Sequence, residues 1–116
     1  MNESFSIQDA SSRRGVRVFR LFGRLDARAA ASLAGRCRAE CRPANHLVLV
    51  LSGVEFLSSS GVGTLLSLTE EFRESGAILA LAAPSEAVSM AIGLLNLGDF
   101  LAIHASEEDA AGRAAA

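Results

Sequence analysis

Three consecutive serines and two glycines, Ser58-Ser59-Ser60-Gly61-Val62-Gly63, are the residues of this 116-residue chain best placed to do chemistry. They follow Leu47-Val48-Leu49-Val50-Leu51, a run with no polar alternation. Such a run predicts a strand buried on both faces, as in a parallel sheet covered by helices. Beyond the glycines, Val62, Leu65, Leu66, Thr69 and Phe72 recur at spacings of three and four, which predicts a helix over 61–75. Hydroxyls at such a junction meet unpaired backbone N–H groups and the positive end of the helix dipole, an environment that favours a phosphate. Ser is also a preferred N-cap, and capping alone accounts for a serine cluster in front of a helix.

Other chemistries are excluded by what the spacing lacks. The chain has no Lys and no G-x-x-x-x-G-K-[ST], which removes a P-loop nucleotide site. No serine has the glycine spacing of a nucleophile elbow. The two histidines, His46 and His104, bear no sequence-local relation to the serines, so a catalytic base is missing and no catalytic residue is assigned. Cys37 and Cys41 share one helix face, but two ligands do not complete a zinc site, and no metal or cofactor is expected.

The elements that must position the serines can be read in order. Ser4–Asp9 alternates apolar and polar residues, as a half-buried strand does. Ser11–Gly15 suits a hairpin connection, and Val16–Phe22 reads as the returning strand. Asp26 is a suitable N-cap for an Ala-rich helix with the stripe Ala30, Leu33, Ala34, Cys37 and Cys41, closed near Pro43. Gly76 is placed to end the helix that follows the serines. Ala77–Ala82 is a second buried strand, and Ser85 opens a helix containing Val88, Met90, Ala91, Ile92, Leu94 and Leu95 that breaks at Asn96–Asp99. Phe100–Ile103 makes a last short strand, with a weak helix from Ser106 and a frayed tail over 109–116. The fold class is therefore α/β: one domain over 1–116, a mixed sheet of four to five strands covered by about four helices.

Charge is uneven along the chain. Up to Arg42 nine arginines face four acids, for +5; from Pro43 two arginines face nine acids, for −7. A basic patch for an acidic partner is one reading and an ordinary solvated surface the other. With no Trp or Tyr for stacking, direct nucleic-acid binding is not expected. No apolar run reaches membrane-spanning length, no leader pattern opens the chain, and a cytoplasmic protein is the expectation.

Three landmarks together resemble the STAS domain of bacterial anti-sigma factor antagonists: Gly23-Arg24-Leu25-Asp26, Gly53-Val54-Glu55-Phe56-Leu57, and Ser59-Ser60-Gly61-Val62-Gly63. The segment from Val88 to Phe100 is similar to the family's third helix and turn. The resemblance implies a binding module rather than an enzyme. It implies that Ser59 is phosphorylated by an anti-sigma factor with serine kinase activity, that a phosphatase resets it, and that the unphosphorylated form binds the partner. Asp26, Arg28, Ser58, Ser59, Ser60, Gly61 and Val62 are the implied partner-binding residues. Family members usually carry Asp where this chain has Ser58. That departure keeps two alternatives open: phosphorylation at Ser58 or Ser60, or a phosphorylation-independent interaction subunit of a transporter or signalling assembly.

Overall fold

The computed structural model describes residues 5–10, 16–40, 46–98 and 100–110. Among these described residues five strands form one sheet: β1 (Phe5–Asp9), β2 (Val16–Leu25), β3 (His46–Leu57), β4 (Leu79–Ala82) and β5 (Ala102–His104). Their spatial order is their chain order, with β1 antiparallel to β2 and every later pair parallel. The parallel pairs are joined by α1 (Ala27–Glu40), α2 (Ser59–Glu74) and α3 (Glu86–Leu94). Parallel crossovers are right-handed, so strands added always on the same side carry their helices to one face. Leu33, Leu65 and Val88 accordingly share one core with Phe19, Leu21, Leu49 and Leu81.

The other face is covered differently. Val16, Val18, Val48, Val50, Ala80 and Ala82 form a second core with Ala110, whose side chain is fully buried. Ala110 belongs to a helical turn over 107–110, capped by the Ser106 hydroxyl, which accepts the Asp109 N–H at 3.1 Å. Glu107 in that turn receives both the Nε (3.0 Å) and Nη2 (3.2 Å) of Arg20 on β2. The frayed tail expected from 109 is thus corrected at its start. With α1, α2 and α3 on one face, Ala110 supplies part of the cover that keeps Val48 and Val50 dry; residues 111–116 lie outside the described residues, as do the expected hairpin at 11–15, Pro43, Cys41 and Asp99.

Capping follows the side chains anticipated. Asp26 Oδ1 accepts the Ala29 N–H at 3.0 Å, and Ser85 Oγ accepts the Val88 N–H at 3.2 Å. Gly76 ends α2 at φ +81, with its N–H on Arg73 O (3.0 Å) and the Ala77 N–H on Phe72 O (2.9 Å), a Schellman closure. Asn96 closes α3 the same way at φ +57.

Three departures from the expectation stand out, beside smaller shifts in which β2 runs past Phe22 to Leu25 and β4 starts at Leu79 and not at Ala77. β5 begins at Ala102, leaving Phe100 exposed. On α3 only Val88 and Ile92 are buried, because a single stripe of a helix meets the sheet; Met90, Leu94 and Leu95 face outward. The third difference shapes the site: β3 does not stop at Leu51 but runs on to Leu57. Two register shifts against β2 allow this, one between the pairs Arg20–Val50 and Phe22–Gly53, the other between Gly23–Val54 and Arg24–Phe56. Each inserts one residue in β3 and reverses which side chains face the helices.

Candidate functional site

β3 hands over to α2 through one residue. Leu57 is the last strand residue, Ser58 is the N-cap at φ −82, ψ 169, and Ser59 is already helical. The helix therefore starts two residues before Gly61, where hydrophobic periodicity alone would begin it. The Ser58 hydroxyl accepts the Gly61 N–H at 3.0 Å and donates to the Leu25 carbonyl at 3.2 Å, while the Ser58 N–H reaches the same carbonyl at 3.1 Å. Ser58 thus caps α2 and pins its start to the β2–α1 corner.

Gly61 is buried under that corner. A Cβ there would lie 2.6 Å from Leu25 O and 2.8 Å from Leu57 Cδ1, so the glycine is required by close approach and not by an unusual φ. At Gly63, two residues further along the helix, an added Cβ would meet nothing within 4 Å, and no such constraint applies. Val62 is buried as well, at 7% exposure, so it and Gly61 shape the junction without presenting surface.

Ser59 and Ser60 are exposed, in the first turn of α2. Neither hydroxyl is bonded to another of the described residues, in contrast to that of Ser58. A phosphoryl group on Ser59 would stand in solvent at the positive end of a sixteen-residue helix, where its charge is tolerated. Asp26 is half-buried and committed to capping α1, while Arg28, in the first turn of α1, is exposed and holds no ion pair among the described residues. The Leu25–Ser58 bonds bring the two corners together, so Asp26 and the serines share one end of the sheet.

α2 is tied to α1 farther along. Arg38 donates Nε to Glu71 Oε1 (3.0 Å) and Nη2 to Oε2 (2.6 Å), a forked pair between the helices. The Arg38 hydrogen bonds hold the Glu71 carboxyl below its ordinary range. His46 is remote in role: its Nδ1 accepts the Ile78 N–H at 3.0 Å, beside the start of β4. Among the described residues no helix is long and apolar enough to cross a membrane, and no metal-type cluster of His, Cys, Asp and Glu occurs.

Sequence reasoning missed two side chains here. The Arg24 guanidinium lies 4.1 Å over the Phe56 ring, and the two residues are partners in the β2–β3 register, as are Leu25 and Leu57. The signal was present, since Arg24 and Phe56 stand inside two of the three landmarks, but their pairing depends on a bulge that no sequence period reveals.

The chain and its fold are similar to those of known proteins. The family model of the STAS domain matches residues 8–110. A putative anti-sigma factor antagonist of Thermotoga maritima is 33% identical over 60 residues, 52% of this chain and 53% of the relative, so the chain spans about half the length of the relative it matches. The anti-sigma factor antagonist SpoIIAA in its unphosphorylated form superposes with a TM-score of 0.77 at 26% identity, over 93% of this chain and 95% of that one. The phosphorylated form of the same Bacillus protein gives 0.72 at 26% identity, over 93% and 98%. The murine anion transporter Slc26a9 is similar over 91% of this chain but 18% of that one, with a TM-score of 0.75 at 19% identity, a likeness of fold alone.

Proposed function

The chain belongs to the STAS domain family, and we propose that it is an anti-sigma factor antagonist: a binding module, not a catalyst, that sequesters an anti-sigma factor and is switched by phosphorylation at Ser59. The unphosphorylated form docks its partner on the end of the sheet where Ser58, Ser59 and Ser60 meet Asp26 and Arg28. A phosphate on Ser59 adds a charge of about −1.5 to −2 on that surface and repels the docked partner without refolding the domain. The partner carries the serine kinase activity, a separate phosphatase restores the free hydroxyl, and the action is in the cytoplasm.

The observation that carries this reading is the contrast between neighbouring serines. Ser58 is fixed by two bonds to Leu25 and one to Gly61, while the Ser59 hydroxyl is exposed at the first helical position and bonds to no other described residue. Capping is thereby assigned to Ser58, and Ser59 is left available. The names of the relatives support the same reading, as does SpoIIAA's existence in phosphorylated and unphosphorylated forms.

The second reading is a phosphorylation-independent interaction subunit, favoured by Ser58 at the position where the family usually has Asp. Isolation of the chain from its native cell with its bound partner separates the two. A kinase-type anti-sigma factor in the complex supports the switch; a transporter component supports the alternative.

A further inference from the structure

The two bulges of β3 build a second surface beside the serine junction, on the sheet face opposite α1–α3. Leu21 and Leu25 of β2 point into the helix-side core, so Phe22 and Arg24 between them point to the other face. On β3, Val54 and Leu57 belong to the helix-side core, and Glu55 is the extra residue opposite the Gly23–Arg24 step. Without it, strict alternation from Val54 would turn Phe56 into the core. With it, Phe56 stands outside, 37% exposed, beside Phe22 at 41%. Gly53 makes room for this: a Cβ there would lie 2.4 Å from Phe22 Cδ1, so the Phe22 ring rests directly on the backbone.

Arg24 follows Phe22 on the same face of β2 and is the register partner of Phe56. One face of its guanidinium is stacked on Phe56 at 4.1 Å, and it forms no ion pair among the described residues. This differs from Arg17, Arg20, Arg38 and Arg73, each of which meets a carboxylate. A guanidinium held over a ring keeps edge N–H groups to donate, and its fork can take a carboxylate in two parallel bonds. The flanking phenyl groups exclude water once a partner closes over them, which strengthens the charge interaction. Phe and Arg are also both enriched at protein interfaces relative to the rest of the surface. A polyanion is disfavoured, because the cation of this patch stands next to the exposed Glu55.

We propose that Phe22, Arg24 and Phe56 form a docking site for the partner protein, taking a carboxylate side chain flanked by apolar groups. The site rests on the antagonist reading and extends it. Arg24 adjoins Leu25, whose carbonyl holds Ser58, so one partner surface can cover both the phosphoacceptor end and this patch. Phosphorylation controls one half of the contact; Arg24 and the rings give the other half its specificity.

The test uses the full chain and the anti-sigma factor isolated with it, with dissociation constants measured by calorimetry for wild type, Arg24→Gln, Arg24→Lys, Phe22→Ala and Ser59→Asp, and thermal melts to show that each is folded. The expected result is a loss of about tenfold or more for Arg24→Gln and Phe22→Ala, equivalent to about 1.4 kcal/mol. Arg24→Lys should recover part of it, since the charge remains but the fork is lost. Arg24→Gln and Phe22→Ala binding within about twofold of wild type while Ser59→Asp fails to bind overturns the patch and leaves the antagonist reading standing. Wild type binding no anti-sigma factor at all overturns both.

Discussion

The carbonyl oxygen of Leu25 receives two hydrogen bonds from Ser58, one from its backbone N–H at 3.1 Å and one from its hydroxyl at 3.2 Å. That pair of bonds joins the end of β2 to the start of α2 and fixes the orientation of the first helical turn. Ser58→Ala removes the hydroxyl bond and the cap on Gly61, and should lower stability by about 0.5–2 kcal/mol. Urea denaturation of the two proteins at equal slope measures this directly.

The same corner leaves no room at position 61. Gly61→Ala should destabilise by about 1–3 kcal/mol, because its Cβ would press on Leu25 O and Leu57 Cδ1. Gly63→Ala, in open space within the same helix, should instead stabilise by up to about 1 kcal/mol. Opposite signs at two glycines of one motif, read from thermal melts, would separate close approach from helix propensity.

These two glycines show where the sequence was legible and where it was not. The uninterrupted run at Leu47–Leu51 announced a doubly buried strand, and all five residues are buried. Asp26, Gly76 and Ser85 announced the helix ends, because caps act locally and leave a local signature. The continuation of β3 to Leu57 was not legible. Bulges reverse the side-chain alternation, so Glu55 and Phe56 both fall outside the core and the strand loses its period of two. The start of α2 was misplaced for a related reason: Ser59 and Ser60 are exposed and contribute nothing to an apolar stripe. The role of Ala110 was hidden because an alanine carries no periodic signal; its burial follows from the topology, which puts three helices on one face and leaves the valines of the other to be covered.

Ala110→Glu tests that cover. It places a larger, charged side chain against Val48 and Val50, and should cost more than about 2 kcal/mol. Binding of a hydrophobic dye at temperatures where wild type binds none would report the opened valine face.

The Arg38–Glu71 pair predicts a pH dependence. Arg38 lowers the Glu71 pKa in the folded chain, so this group's contribution to stability is present above the ordinary carboxylate range and is lost as pH falls through the lowered value. Glu71→Gln should therefore melt below wild type near neutral pH, and the gap should narrow in acid. A gap independent of pH would mean that the ion pair is not its source.

The central claim is that Ser59, and not the capping Ser58, accepts the phosphate that releases the partner. The most direct measurement is intact mass and peptide mapping after incubation with the co-purified anti-sigma factor and ATP, on wild type, Ser59→Ala and Ser58→Asp. The account predicts one phosphate on Ser59 in wild type and none on Ser59→Ala. In Ser58→Asp, Ser59 remains the site, with faster modification if the carboxylate assists transfer. Phosphate on Ser58, or none on any of the three while the chain binds a different partner tightly, would contradict it.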